Sequence, residues 1–331
     1  MADRAILVVG GAGYIGTHMV KALLAAGHRV VILDNLSTGH RNLVVGGEFI
    51  CGDLSDPIVL NQLFSRYAID AVMHFAAFSL VGESVRNPLA YYRNNLAGTL
   101  SLLEAMVRHK VLRFIFSSTA AVYGEPTTVP ITEDQPCAPT NPYGATKMAV
   151  ERLLQDCEVA YGLKFMSLRY FNAAGADPAG LMGERHQPES HLIPLVLKTA
   201  LGELPHIQIF GTAYPTPDGT CVRDYVHVCD LARAHLLALN ALLDGGASTV
   251  YNLGNSKGHS VREVIELSRN ITGRAIPAVE TGNRAGDPAV LVAASDKIRR
   301  ALGWHPEYES LETIIRTAWH WHSREHDATG G

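Results

Sequence analysis

Tyr143 and Lys147, in the run Tyr-Gly-Ala-Thr-Lys, stand one helical turn apart and form the pair in this sequence best suited to moving a proton. A tyrosine hydroxyl with a pKa of about 10 is a poor base at neutral pH, and an ammonium at i+4 on the same helix face favours its phenolate. Alone, that spacing usually marks a solvated helix face. Here it is joined by the hydroxyls Ser117-Ser118-Thr119 at the end of an apolar run, where Thr119 could relay a proton between a substrate and Tyr143. A second chemistry lies upstream in Gly10-Gly-Ala-Gly13-Tyr-Ile-Gly16, directly after one strand and opening one helix. Glycines there allow a pyrophosphate to approach the amides of a helix N-terminus, where the dipole favours negative charge. Asp34 ends the next strand, where a carboxylate meets adenosine ribose hydroxyls and repels a 2′-phosphate, so the pattern favours NAD over NADP. In Gly52-Asp53-Leu54 the carboxylate could meet an adenine amino group or simply cap a helix. Phe75-Ala76-Ala77 ends a further strand with the small residues that a closely passing cofactor needs.

The elements that position these residues follow from periodicity. Apolar runs at 5–9, 29–33, 48–50, 71–75 and 113–117 read as strands, each leading into a helical stretch, the first spanning 14–26 with Gly27 at its C-terminal end. Parallel strands need such crossovers, so the expected fold is α/β: a Rossmann-type doubly wound parallel sheet followed by a smaller C-terminal α/β domain. Prolines at 126, 130, 136, 139 and 142 mark a surface loop before the helix 143–161, and a strand follows at 164–169. After a stretch rich in Gly and Pro the alternation becomes irregular. The expected division is therefore 1–169 for the dinucleotide and 170–331 mainly for substrate, with the chain free to cross back. Ser260-Val-Arg-Glu263 is a capping box for a helix ending near Asn270.

Composition narrows the partners. The 331 residues are 47% hydrophobic and 18% charged with a net charge of −4, which fits a folded protein with a large core and gives no electrostatic reason to bind nucleic acid or an anionic membrane. The uncharged stretch Ala5 to Val20 contains the glycine loop, no segment reads as a membrane span, and Met-Ala-Asp-Arg lacks the basic start of a signal peptide. Five cysteines at unpatterned spacing fit a reducing cytoplasm. His320 and His322 flank Trp321 in an aromatic helix end, where packing accounts for them better than a metal does, and no metal is expected.

Together these residues resemble the extended short-chain dehydrogenase/reductase family, and within it the nucleotide-sugar 4-epimerases. The resemblance runs nearly the whole chain, through the glycine loop, Leu33-Asp-Asn35, Val81-Gly-Glu-Ser84, Asn94-Asn95 with Gly98-Thr99, Ser117 to Gly124, Tyr143 with Lys147, Arg169-Tyr-Phe-Asn172, Val222 to His227, Tyr251-Asn-Leu-Gly254 and Arg284-Ala-Gly-Asp287. Val-Gly-Glu-Ser, Arg-Tyr-Phe-Asn and Trp319-His-Trp321 point to the epimerase branch. The resemblance implies that Thr119, Tyr143 and Lys147 are catalytic. It implies that NAD is held by Gly10, Gly13, Tyr14, Ile15, Gly16, Asp34, Asn35, Asp53, Leu54, Phe75, Ala76, Ala77, Asn94, Ser117, Tyr143, Lys147 and Tyr170. A UDP-sugar would meet Thr119, Tyr143, Asn172, His191, Leu192, Phe210, Arg223, Arg284 and Asp287; the planar fork of Arg suits a diphosphate. The implied reaction inverts C4 of a UDP-hexose, as between UDP-glucose and UDP-galactose in galactose metabolism, in a homodimer. Four positions depart from the commonest pattern: Ser79 replaces a lysine near the cofactor, Thr119 a serine, His191 an asparagine, and Leu291 occupies a gate for the C2 substituent. An epimerase for UDP-N-acetylglucosamine or UDP-glucuronate would use the same residues. A 4,6-dehydratase needs an acid and a base where Ala120-Ala121 stand, and a non-catalytic NAD sensor has no use for Tyr143 and Lys147 together.

Overall fold

The computed structural model describes residues 4–283 and 288–329. Its strands are β1 Ala5–Val9, β2 Arg29–Asp34, β3 Glu48–Cys51, β4 Ile69–His74, β5 Arg113–Thr119, β6 Lys164–Tyr170, β7 Asn172–Ala174, β8 Ile207–Phe210, β9 Val222–His227, β10 Thr249–Leu253, β11 Gly258–Ser260, β12 Ala278–Thr281 and β13 Val290–Leu291. The helices are α1 Tyr14–Ala25, α2 Pro57–Arg66, α3 Val81–Arg86, α4 Pro88–Tyr91, α5 Gly98–Arg108, α6 Pro142–Tyr161, α7 Leu192–Leu201, α8 Val228–Leu243, α9 Val261–Thr272, α10 Asp296–Leu302 and α11 Leu311–Thr329, with one π-helical turn at Tyr92–Ala97.

Seven strands form one parallel sheet in the order β10-β6-β5-β4-β1-β2-β3. All five residues of β1 are buried, as a strand covered on both faces must be. Successive side chains of that strand point to opposite layers. Ile6 and Val8 pack with Met19 and Leu23 of α1 and Leu231 and Leu239 of α8, whereas Leu7 and Val9 pack with Leu60 of α2, Leu102 of α5 and Leu154 of α6. This is the doubly wound arrangement expected from the sequence, and its strand order reverses between β1 and β4, where such sheets place their ligands. The seventh strand, β10, comes from residues 249–253 and adds to the far edge against β6.

The remaining elements surround the carboxyl ends of the sheet. Strand β9 pairs with β7, β11 and β13, and β8 pairs with β12. Helices α7, α9 and α11 cover these small sheets around Leu197, Val264, Ile265 and Ile315. The capping box of α9 is formed, with Ser260 and Glu263 satisfying each other's backbone N–H groups, and the helix runs two residues past Asn270 to Thr272. Two boundaries near the chemistry also differ from the periodicity. Strand β5 continues to Thr119, in register with Tyr170 of β6, and its three hydroxyls find partners in Tyr170 of β6, Glu151 of α6 and the N–H of Ala121. Helix α6 starts at Pro142, a residue that needs no N–H at that position, with the Asn141 side chain accepting from Gly144 N at 2.9 Å.

Candidate active site

One cleft of about 1920 Å³ opens at the switch point, roughly twice the upper end of the 300–1,000 Å³ range of ordinary small-molecule pockets and large enough for two nucleotides. Every site residue expected from the sequence that falls among the described residues lines it, from Gly10 to Arg223. Arg284 and Asp287 lie outside the described residues.

The glycine loop shows which glycines the protein itself requires. A Cβ on Gly10, where φ is +79°, would lie 2.4 Å from the backbone N of Ala76, and one on Gly16 would lie 2.1 Å from the carbonyl oxygen of Gly10. Those two permit the close crossing of β1, α1 and the strand end at Phe75. Gly13 differs. Its φ of −78° and ψ of 174° suit any residue, and a Cβ there would meet nothing nearer than the Gly10 oxygen at 3.4 Å. The fold has no need of glycine at the N-cap of α1, so the open space in front of it fits a group brought close to the backbone, as a pyrophosphate is.

Acidic groups sit beside this loop in fixed orientations. The buried Asp34 carboxylate accepts from Ala12 N at 2.9 Å and Leu36 N at 2.8 Å, one bond to each oxygen, so each oxygen keeps a lone pair for a ribose hydroxyl. Asp53 accepts from Ser55 N and Oγ and from Asn35 Nδ2, and the Ser55 bonds above all hold its carboxyl below the ordinary range. The π-helical turn carries Asn94 and the buried Asn95. Asn95 accepts from Phe78 N at 2.8 Å and donates to Phe78 O at 3.0 Å, which fastens the Phe75 to Ser79 segment to the helix layer. Ser79 itself is exposed on the rim.

At the other end of the cleft Thr119, Tyr143, Lys147 and Ser117 converge. Tyr143 is bonded to Thr119, and burial nonetheless pushes its hydroxyl up to about 12. Lys147 Nζ donates to Ser117 O at 2.8 Å and lies 4.8 Å from the centre of the Phe116 ring. Burial pulls this ammonium down to about 7, against the opposing pull of Glu151. Ser117 Oγ lies 2.6 Å from the hydroxyl of Tyr170, so its two oxygens hold Lys147 and Tyr170 in place. Thr119 Oγ1 also accepts from Ala121 N at 3.1 Å, which orients the hydroxyl toward the cleft end of β5.

Glu151 was not expected from the sequence, although its spacing was visible: it follows Lys147 by four residues, as Lys147 follows Tyr143, and all three are buried on α6. Its carboxylate takes Ser118 Oγ at 2.6 Å and Arg169 Nε at 3.0 Å, and Arg169 Nη1 reaches the Tyr123 hydroxyl at 2.8 Å. Arg169 thus closes a buried network across β5, β6 and α6. The facing wall of the cleft is built from β7, α7, β8 and β9. Asn172 Nδ2 donates to Asp224 O at 2.9 Å, Leu192 begins α7, Phe210 ends β8, and Leu291 of β13 is in register with Arg223 of β9. His191 stands just ahead of α7 with its Nδ1 on the Glu184 carboxylate.

A parallel Rossmann sheet, a glycine loop at its switch point and a Tyr/Lys pair beside a strand-end hydroxyl define a class of nucleotide-dependent oxidoreductase-like enzymes. The profile of the NAD dependent epimerase/dehydratase family matches residues 6–254, and the chain belongs to that family. More particularly, it is 55% identical to the UDP-glucose 4-epimerase of Halalkalibacterium halodurans over 97% of this chain and 96% of that one. It is 52% identical to the UDP-glucose 4-epimerase of Lacticaseibacillus casei, covering 98% of each. The crystal structure of UDP-glucose 4-epimerase from Brucella ovis in complex with NAD superposes with a TM-score of 0.94 at 48% identity, covering 96% of this chain and 98% of that one.

Proposed function

We propose that this protein catalyses the reversible inversion of C4 in a UDP-hexose, interconverting UDP-glucose and UDP-galactose through a 4-keto sugar with NAD as its bound cofactor. The observation that carries the reading is the meeting of Tyr143, Thr119 and Lys147 in a cleft that accommodates two nucleotides. Tyr143, assisted by Thr119, takes the proton of the 4-hydroxyl and returns it on the opposite face. When bound there, NAD would supply the acceptor, and then the donor, for the C4 hydride. Burial makes the Tyr143 hydroxyl a weak acid, so its phenolate depends on positive charge nearby. Lys147, fixed on Ser117, supplies such charge from one turn along α6. Gly10, Gly13 and Gly16 hold the pyrophosphate of the cofactor, Asp34 and Asn35 its ribose, Asp53 and Leu54 its adenine end, and Phe75, Ala76, Ala77, Asn94 and Tyr170 its path to the sugar. Asn172, Leu192, Phe210 and Arg223 bind the UDP, and anchoring there leaves the keto sugar free to turn over between the two half-reactions.

Residues 1–169 mainly serve the cofactor and 170–331 mainly the substrate, with β10 crossing back into the cofactor sheet. The working form is a homodimer. Exposed Val85, Leu89, Tyr92 and Leu100 recur at spacings of three, four and eight along α3 to α5, an apolar stripe suited to a second copy. No helix among the described residues is long and apolar enough to cross a membrane, and the free thiols of Cys51, Cys137, Cys157 and Cys229 suit the reducing cytoplasm.

The test is to incubate the protein separately with UDP-galactose, UDP-N-acetylgalactosamine and UDP-galacturonate, beside Tyr143→Phe. Conversion of UDP-galactose to UDP-glucose without net reduction of NAD, abolished in the variant, is expected. Failure to convert any of the three by protein with bound NAD would overturn the reading.

A further inference from the structure

The loop before α7 carries a cluster of which the UDP-sugar reading uses only His191. Glu184, His186, Glu189 and His191 turn four side chains toward one point, with one ligand atom from each lying within 4.8 Å of all the others. His186 Nδ1 is 3.0 Å from Glu184 Oε1, and His191 Nδ1 contacts the same oxygen. Both Nδ1 atoms lie 3.9 Å from Glu189 Oε1. In a tetrahedral zinc site with bonds of about 2.0–2.1 Å, adjacent ligand atoms are about 3.3 Å apart, so shifts below about 1 Å bring most of these atoms onto its corners.

Two observations distinguish this cluster from scattered surface charges. Both glutamate side chains are only 3% exposed, so two carboxylates share one poorly hydrated spot; their charge is balanced either by two protonated imidazoles or by a dication that displaces those protons. The ligands are also held from behind. Glu189 Oε1 accepts from the N–H groups of Ser190 at 2.7 Å and His191 at 2.9 Å, and Trp321 Nε1 of α11 donates to the Glu184 carbonyl at 3.0 Å. The Tyr14 ring stands edge-on to His186 at 6.3 Å. Such supporting contacts are what orient metal ligands.

We propose that Glu184, His186, Glu189 and His191 bind one divalent transition-metal ion of the zinc class. Four protein ligands close the coordination shell, so the ion is structural, and the Nδ1 protons leave to solvent as it enters. The site lies on the wall of the cleft, between Tyr14 of α1 and the first residue of α7, and fastens the segment that leads into the substrate side. This inference stands apart from the epimerase reading, because its test reads metal and not turnover.

The full-length protein is stripped with a chelator and titrated with Co²⁺. One equivalent is expected to give the intense visible bands of a tetrahedral ion, bleached by one equivalent of Zn²⁺ and accompanied by a higher Tm. His186→Ala and Glu189→Gln are each expected to weaken uptake by at least ~10–100-fold. His320→Gln, in the helix-end pair of α11, should leave uptake unchanged. Absence of stoichiometric uptake by the unmodified protein, a weak octahedral spectrum, or loss of uptake in His320→Gln but in neither loop variant would overturn the proposal. Should His186→Ala fail to fold, the spectrum of the unmodified protein and Glu189→Gln decide.

Discussion

Gly13→Ala and Gly16→Ala separate what the glycine loop does for the fold from what it does for a ligand. The Cβ added at position 16 would stand 2.1 Å from Gly10 O and 2.8 Å from Gly11 Cα, so the backbone of the loop must open by about 1 Å. Overpacking against backbone that cannot rotate away costs about 3 kcal/mol, the upper part of the usual range. With an unfolding entropy of about 2.1 cal/mol/K per residue, a chain of this length should lose roughly 4 °C in Tm. At position 13 the same methyl group meets only Gly10 O at 3.4 Å with an ordinary φ, so Tm should stay within about 2 °C of the unmodified protein. The cost appears when the dinucleotide binds, because the methyl occupies the space before the helix N-terminus. About 1.4–3 kcal/mol of lost affinity, roughly 10–150-fold in Kd, is expected. Calorimetric scans with and without NAD, together with titration of NAD into cofactor-free protein, measure both quantities. Unaltered NAD affinity in Gly13→Ala would refute the placement of the pyrophosphate, and unaltered stability in Gly16→Ala would refute the packing argument.

Lys147→Met keeps the volume of the side chain and removes a buried ammonium, so kcat should fall by about 10²-fold or more while Tm stays level or rises; an equal loss of both would mean that the lysine is chiefly structural. Glu151→Gln leaves Arg169 buried without its counter-charge and should cost about 3–5 kcal/mol, or roughly 4–7 °C in thermal denaturation. His18, His74 and His235 are buried as neutral rings, each with one ring nitrogen lacking a partner, and burial pulls them down to about 4, 3 and 4. Unfolding frees them to take up protons, so stability should be complete above pH ~6.5 and fall as pH drops toward ~4 for His18 and His235 and ~3 for His74, by up to roughly 3 kcal/mol for each of the first two and roughly 5 kcal/mol for His74. Urea melts across that range with one histidine at a time changed to Gln should show a shallower acid slope; an unchanged slope would count against that ring.

The first half of the sheet was legible because its physics is local. Ala5–Val9 and Val30–Leu33 are continuous apolar runs, as parallel strands covered on both faces must be, and the helix between them has its own period. Tyr143 and Lys147 were legible for a related reason, since residues four apart on a helix share a face. Glu151 lies one turn further on, yet its role depends on Arg169 and Ser118, which only the register of β5 against β6 brings to it. Nor does any local property announce that β10 belongs to the first sheet, because the regular alternation has ended by then and strand pairing is a long-range choice. The Glu184 to His191 cluster has an evident spacing but lies in a loop, where no periodicity says which side chains converge. The π-helical turn at 92–97 is likewise invisible to a search for period 3.6.

The position of β10 bears on how the chain is made. Until residue 253 has left the ribosome, β6 is the open edge of a six-stranded sheet, offering a row of unpaired amides and carbonyls to any neighbouring nascent chain. The segment that seals it also carries Asn252, whose side chain accepts from Tyr123 at 2.8 Å and donates to Ile131 O at 2.9 Å. Closing the edge therefore also ties down the proline-rich loop that precedes α6. Synthesis of the first half alone, or a pause in translation before the codons for β10, would leave an adhesive intermediate with a loosely held α6, and chaperone dependence should concentrate in that interval.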